Sequence, residues 1–203
     1  MKNILLLILS FSLFFTNLTQ AAESNSNPRD YIVKIADQIF KVILNKNTTV
    51  EEQREILEQR FIDEIDFNWN ARAVSGQYWR EMTNIQRSDF VSGYKSYLIR
   101  YWLPKFNGYR NEKYEILQKY ETTENGDFMI KIILTLNNNA NISLVLRVRK
   151  VDDSFKILNI IAEGVDMARV YNIQFTEYIE KFGIDELIKY LKTGKSKNID
   201  VKK

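Results

Sequence analysis

Between residues 28 and 104 the apolar positions recur every three or four residues, and between residues 113 and 161 they recur every second residue. The first period belongs to helices with one buried face, the second to half-buried strands. Asn27-Pro28 opens the first helix, with Asn as N-cap and Pro at the first helical position. Ile32, Ile35, Ala36, Ile39, Phe40 and Ile43 then share one face. Thr49-Val50-Glu51-Glu52 reads as a capping box starting a second helix that buries Ile56, Leu57 and Phe61. Asp66 starts a short third helix that stops near Gly76. A second capping box, Thr83-Asn84-Ile85-Gln86, begins the longest helix, whose stripe of Phe90, Val91, Tyr94, Leu98, Tyr101 and Trp102 is expected to end at Pro104.

Four strand-like runs follow, at 113–122, 128–136, 142–151 and 155–161. Glu124-Asn125-Gly126-Asp127, Asn137-Asn138-Asn139 and Asp152-Asp153 join them as hairpin turns, so the runs predict an antiparallel meander. Phe128, Ile130, Ile132 and Leu134 fall on one face with Ile142, Leu144, Leu146 and Val148, against Ser143, Arg147 and Arg149 on the other. Two closing helices are expected at 165–182 and, after Gly183, at 184–191. The predicted fold is α+β: a helical layer packed on a curved four-stranded antiparallel meander, cystatin- or NTF2-like, with closing C-terminal helices.

Residues 1–21 do not fit this domain. Lys2 precedes an apolar run at 4–15, and Thr19 and Ala21 occupy small-residue positions for cleavage. About 12 apolar residues are fewer than the roughly 20 that span a bilayer, so this segment reads as a cleaved signal peptide. The expected organisation is a signal peptide at 1–21, a single domain at 22–192 and a flexible basic tail at 193–203.

Composition narrows the chemistry. The 203 residues include no Cys and no His, which removes disulfides, thiolate and imidazole metal sites, and every His-dependent nucleophile. The net charge is +3 and the charges are interspersed, so no nucleic-acid footprint appears. The densest acidic cluster, Asp63-Glu64-Ile65-Asp66, leaves a carboxylate-dependent hydrolase as one reading. Its plainer reading is a helix end with Asp66 as N-cap. Aromatic residues make up 13% of the chain, which provides either a dense core, as in a protein-interaction module, or a cavity lined by apolar side chains. Pattern alone does not separate the two.

Two stretches carry a resemblance. Ala71-Arg72-Ala73-Val74-Ser75-Gly76-Gln77-Tyr78-Trp79-Arg80, followed by Thr83, Gln86-Arg87 and Phe90, resembles the MlaC family of periplasmic phospholipid-binding proteins, the toluene-tolerance auxiliary transport components. Phe155-Lys156-Ile157-Leu158-Asn159-Ile160-Ile161-Ala162-Glu163-Gly164-Val165 is similar to that family's last strand and its Glu-Gly-Val turn. The chain departs from the family pattern at Ser75 (usually Leu), Asn159 (often Asp), Asp166 (usually Ser) and Asn172 (commonly Arg). The resemblance implies a soluble periplasmic carrier with no catalytic residue, no metal and no cofactor beyond phospholipid as cargo. It would shuttle lipid between the inner and outer membranes, maintaining outer-membrane lipid asymmetry. Its implied partners are an inner-membrane ABC transporter complex with an MCE-domain ring and an outer-membrane lipoprotein–porin complex. From facing, the expected acyl-chain contacts are Trp79, Phe90, Tyr94, Leu98 and Trp102 on helices, and Ile130, Ile132, Leu134, Leu144, Leu146 and Val148 on the sheet.

Overall fold

The computed structural model describes residues 27–45, 47–106 and 113–195, so the expected signal peptide and most of the expected basic tail lie outside the described residues. Helices begin where the sequence supplies a side-chain acceptor for their unpaired amides. Asn27 caps α1 (Pro28–Ile43) by accepting the Arg29 N–H at 2.9 Å. Thr49 and Glu52 cap α2 (Val50–Glu64) reciprocally, and Asp66 caps α3 (Phe67–Ser75) through the Trp69 N–H at 2.8 Å. A short α4 (Tyr78–Glu81) precedes the Thr83–Gln86 capping box that starts α5 (Asn84–Phe106). Pro104 does not end α5, as had been expected. It sits in the last turn, where its missing N–H deprives only the carbonyl of exposed Arg100, and the helix continues to Phe106.

The sheet keeps the expected meander and adds to its edges. Its strands are β1 (Lys113–Ile116), β2 (Glu121–Thr122), β3 (Phe128–Thr135), β4 (Asn141–Val151), β5 (Ser154–Ala162) and β6 (Val165–Asp166). The order is β1-β3-β4-β5-β6, all antiparallel, with β2 also on β3. The expected first run at 113–122 is therefore two strands. Between them the Arg29 guanidinium takes the Ile116 and Leu117 carbonyls at 3.1 and 3.2 Å, tying the sheet edge to the start of α1. Val165 belongs to β6 rather than to a helix. Glu163 and Gly164, both at positive φ, make the two-residue turn before it, and Asp166 caps α6 (Met167–Phe182). α7 (Ile184–Thr193) closes the chain over α5. A side chain at Gly93 would press on Leu191 at 3.1 Å, so glycine there lets the two helices approach.

One irregularity shapes the sheet. Arg147 pairs with Asn159 and Val148 with Ile157, which leaves Leu158 without a partner on β4. Such a bulge bends its strand and increases local twist. On the Val148 side the sheet carries a solid cluster in which Ile130, Val148 and Phe155 are buried with Tyr31 and Ile32 of α1. A second solid cluster joins α3, α5, α6 and α7 through Phe90, Tyr94, Phe175 and Leu187.

The opposite sheet face is held by one carboxylate. Asp127 is fully buried and accepts from Arg147 Nε at 2.7 Å and from Arg149 Nε and Nη2 at 2.6 and 2.9 Å. Both guanidiniums lie over the Trp69 ring of α3, at 5.3 and 6.0 Å. Burial alone would raise the Asp127 pKa, but the hydrogen bonds from Arg149 and Arg147 outweigh it and hold the carboxyl below its ordinary value. Its stabilisation is thus present above the ordinary carboxyl pKa of about 3.9 and is lost as pH falls through the lower folded value. Asp127→Ala is expected to lower stability by about 2–3 kcal/mol at neutral pH in urea unfolding, with the gap to wild type narrowing below about pH 4. Equal midpoints at pH 7 would show that the cluster is ornamental.

Candidate functional site

Beyond the bulge the two layers separate. The apolar stripe of α1, from Ile35 and Ala36 to Phe40 and Ile43, forms one wall, and Phe61 of α2 and Ile65 just after it extend it. Tyr94, Leu98 and Trp102 of α5 face them, with Met167, Ala168 and Tyr171 of α6 beside these. The floor is a set of cross-strand pairs, Leu134 with Ile142, Ile132 with Leu144, and Leu146 with Ile160. Together they enclose a cavity of about 450 Å³.

Polar groups on this wall are few, and most have a hydrogen-bond partner. Asn70 donates to the Asp66 carbonyl at 2.9 Å. Asn159 donates to Asp166 at 2.8 Å and accepts from the Ile160 and Ala168 amides, fixing the turn into α6. The Trp102 indole N–H donates to the Tyr171 hydroxyl at 3.1 Å. Tyr114 donates to Asp37. Burial pushes the Tyr94 hydroxyl well above its ordinary pKa, and Tyr171 and Tyr97 beside it add to the effect. Tyr171 and Tyr114 are each pushed up to about 12, chiefly by burial. These tyrosines therefore stay neutral at physiological pH, and among the described residues the only ionisable acid–base pair on the wall is Arg60 and Glu64 of α2.

Of the eleven residues expected from facing, Tyr94, Leu98, Trp102, Ile132, Leu134, Leu144 and Leu146 stand on the cavity wall. The other four do not. Phe90 is fully buried against Phe175 and Tyr94, with ring centroids at 6.2 and 6.4 Å. Trp79 lies on α4 beneath the Arg87 guanidinium, whose Nε also donates to its carbonyl at 2.8 Å. Ile130 and Val148 face inward as expected but lie on the solid side of the bulge, filled by Tyr31 and Phe155. Strand alternation gives the face of a residue and not its position along the sheet. The α1, α2 and α6 wall residues were missed. For α1 the signal was its unbroken apolar stripe, Ile32, Ile35, Ala36, Ile39, Phe40 and Ile43, which lines the space facing Tyr94, Leu98 and Trp102 of α5.

The acidic cluster is dispersed. Asp63 is exposed and accepts from Gln59 at 2.9 Å, Glu64 accepts from the Tyr31 hydroxyl, and Asp66 is the α3 cap. Among the described residues no group of three or more acidic side chains is placed to hold a metal ion, and no helix is long and apolar enough to cross a membrane.

Residues 33–193 match the family model of the MlaC protein, which is most of the chain. The chain belongs to the MlaC family. A solved structure of the same fold is a phospholipid-binding protein from Ralstonia solanacearum in complex with a phospholipid. It is 20% identical, with a TM-score of 0.71, and the alignment covers 82% of this chain and 95% of that one. The MlaC match spans both the cavity walls and the α5–α6–α7 cluster behind them.

The division between solid and hollow halves is testable by truncation. Ile130→Ala leaves a void in packed core and is expected to cost about 3–4 kcal/mol, whereas Leu144→Ala only enlarges an existing space and is expected to cost about 1 kcal/mol. Chemical denaturation of the two variants measures this, and equal losses would contradict the division.

Proposed function

We propose that this MlaC-family protein is a phospholipid carrier that holds acyl chains between its sheet and its helices. The observation that carries the reading is the 450 Å³ cavity walled by α1, α5, α6 and the β3–β5 floor, whose lining is almost wholly apolar. Moving two acyl chains of about 30 methylenes through water costs on the order of 24 kcal/mol at ~0.8 kcal/mol per methylene. A carrier removes this barrier by giving the chains hydrocarbon surroundings in transit, and it needs no reacting group to do so. The family membership and the phospholipid in the Ralstonia protein support this choice of cargo.

The wider role follows from the same reading. Export by residues 1–21 would deliver the protein to the periplasm, where it exchanges lipid with an inner-membrane ABC transporter bearing an MCE-domain ring and with an outer-membrane lipoprotein–porin complex, maintaining lipid asymmetry. Pocket and bilayer offer the chains similar surroundings, so the direction of transfer is set by those partners.

Leu144→Trp combined with Leu146→Trp fills the floor without removing core. Native mass spectrometry of protein purified from an exporting host is expected to show an added mass of several hundred daltons for wild type and none for the double variant, with unchanged circular dichroism. A folded double variant that retains lipid at wild-type level would refute this cavity as the binding site.

A further inference from the structure

We propose that Arg60 is the phosphate-binding residue of this cavity, released from Glu64 when lipid enters; the inference rests on the carrier reading above. Among the described residues lining the cavity, Arg60 is the only cation. Its side chain is 38% exposed while that of Glu64 is 12% exposed, so the guanidinium stands where the hydrocarbon lining meets water. That boundary is where a lipid with buried chains places its phosphate diester.

The Arg60–Glu64 pair is built to open. Nη1 and Oε1 are 3.8 Å apart, beyond hydrogen-bond distance, and Arg precedes Glu by four residues, the less favourable order on a helix. Glu64 is not stranded when Arg60 leaves, because the Tyr31 hydroxyl donates to its other oxygen, Oε2. Tyr31 is itself buried against Phe155 at 5.4 Å, so this second partner stays in place. A partly exposed guanidinium in a loose pair gains two parallel N–H···O bonds by turning to a phosphate, and its planar fork suits that geometry. Glu64 then acts as a gatepost, holding Arg60 near the entrance and repelling anions that bring no hydrocarbon to offset the repulsion.

The test compares two lipids with the same chains. Wild-type protein is incubated with vesicles containing either dioleoyl phosphatidylglycerol or phosphate-free dioleoylglycerol, and bound lipid is counted by native mass spectrometry. Wild type is expected to load the phospholipid about tenfold better, and Arg60→Gln to lose about tenfold of that loading while keeping its diacylglycerol loading. Arg60→Lys is expected to recover part of the difference, and Glu64→Gln to raise phospholipid loading. An Arg60→Gln protein that keeps the phospholipid preference overturns the proposal. Inorganic phosphate at millimolar concentration is expected neither to remain bound nor to displace lipid; if it did both, the site would be one for free phosphate and the proposal would fail. Wild type that loads neither lipid would refute the carrier reading itself, a result separable from each of these.

Discussion

Leu158 has no counterpart on β4, and the single extra residue it represents governs how the two layers meet. A bulge bends its strand and steepens the twist, so the sheet cannot follow the helices over its whole length. On one side of the bulge Tyr31 and Ile32 of α1 lie in one buried cluster with Ile130, Val148 and Phe155. On the other, Leu134 and Leu144 line the cavity together with Ile39 and Ile43 of the same helix. The α2–α3 junction docks at this point, with Asp66 donating its N–H to the Ile157 carbonyl at 3.1 Å and Ile65 bridging to Ile157. Helices and sheet are thus fastened where the register breaks, and Ile65 and Ile157 at that fastening form part of the cavity wall.

Keeping such a volume open has an energetic cost. Core side chains that filled 450 Å³ would gain on the order of 10 kcal/mol at ~24 cal/mol per Å³, comparable to the whole net stability of a domain this size. The structure compensates elsewhere. Phe90, Tyr94, Tyr97, Tyr171 and Phe175 interlock edge to face between α5 and α6, at centroid distances of 5.7 to 6.2 Å. Arg100 caps the end of α7 by donating to the Leu191 carbonyl at 3.1 Å. The aromatic abundance of the chain therefore serves mainly to stiffen the helical frame. Aliphatic residues of moderate size line most of the space.

The sequence made the helix starts and hairpins legible because their causes are local. Asn27, Thr49, Asp66 and Thr83 each cap a helix within three residues, and Gly126, Asn139 and Asp152 each turn a hairpin at positive φ. What depends on distant contacts was not legible. Nothing near Phe90 says that Phe175 will cover it, and nothing near Val148 says that Phe155 and Tyr31 will fill the space beside it. The departures from the family pattern at Asn159 and Asp166 turn out to be one unit. Asn159 Nδ2 donates to Asp166 Oδ1 at 2.8 Å, and the same oxygen accepts the Arg169 N–H at the α6 cap. Asn172 likewise donates to the Val74 carbonyl at 3.1 Å across the helix end at Gly76. Each of these three side chains thus has a partner that lies on another element or beyond its own turn.

The cavity floor of branched aliphatic side chains has a consequence for selectivity. Hydrophobic attraction has no direction, and a wall of isoleucine and leucine registers how much greasy volume enters rather than where a double bond falls. For the proposed carrier, the fatty-acid make-up of the load would mirror the membrane that supplied it. A cell that adjusts unsaturation to keep its bilayers fluid when the temperature changes would then need no matching change in this protein.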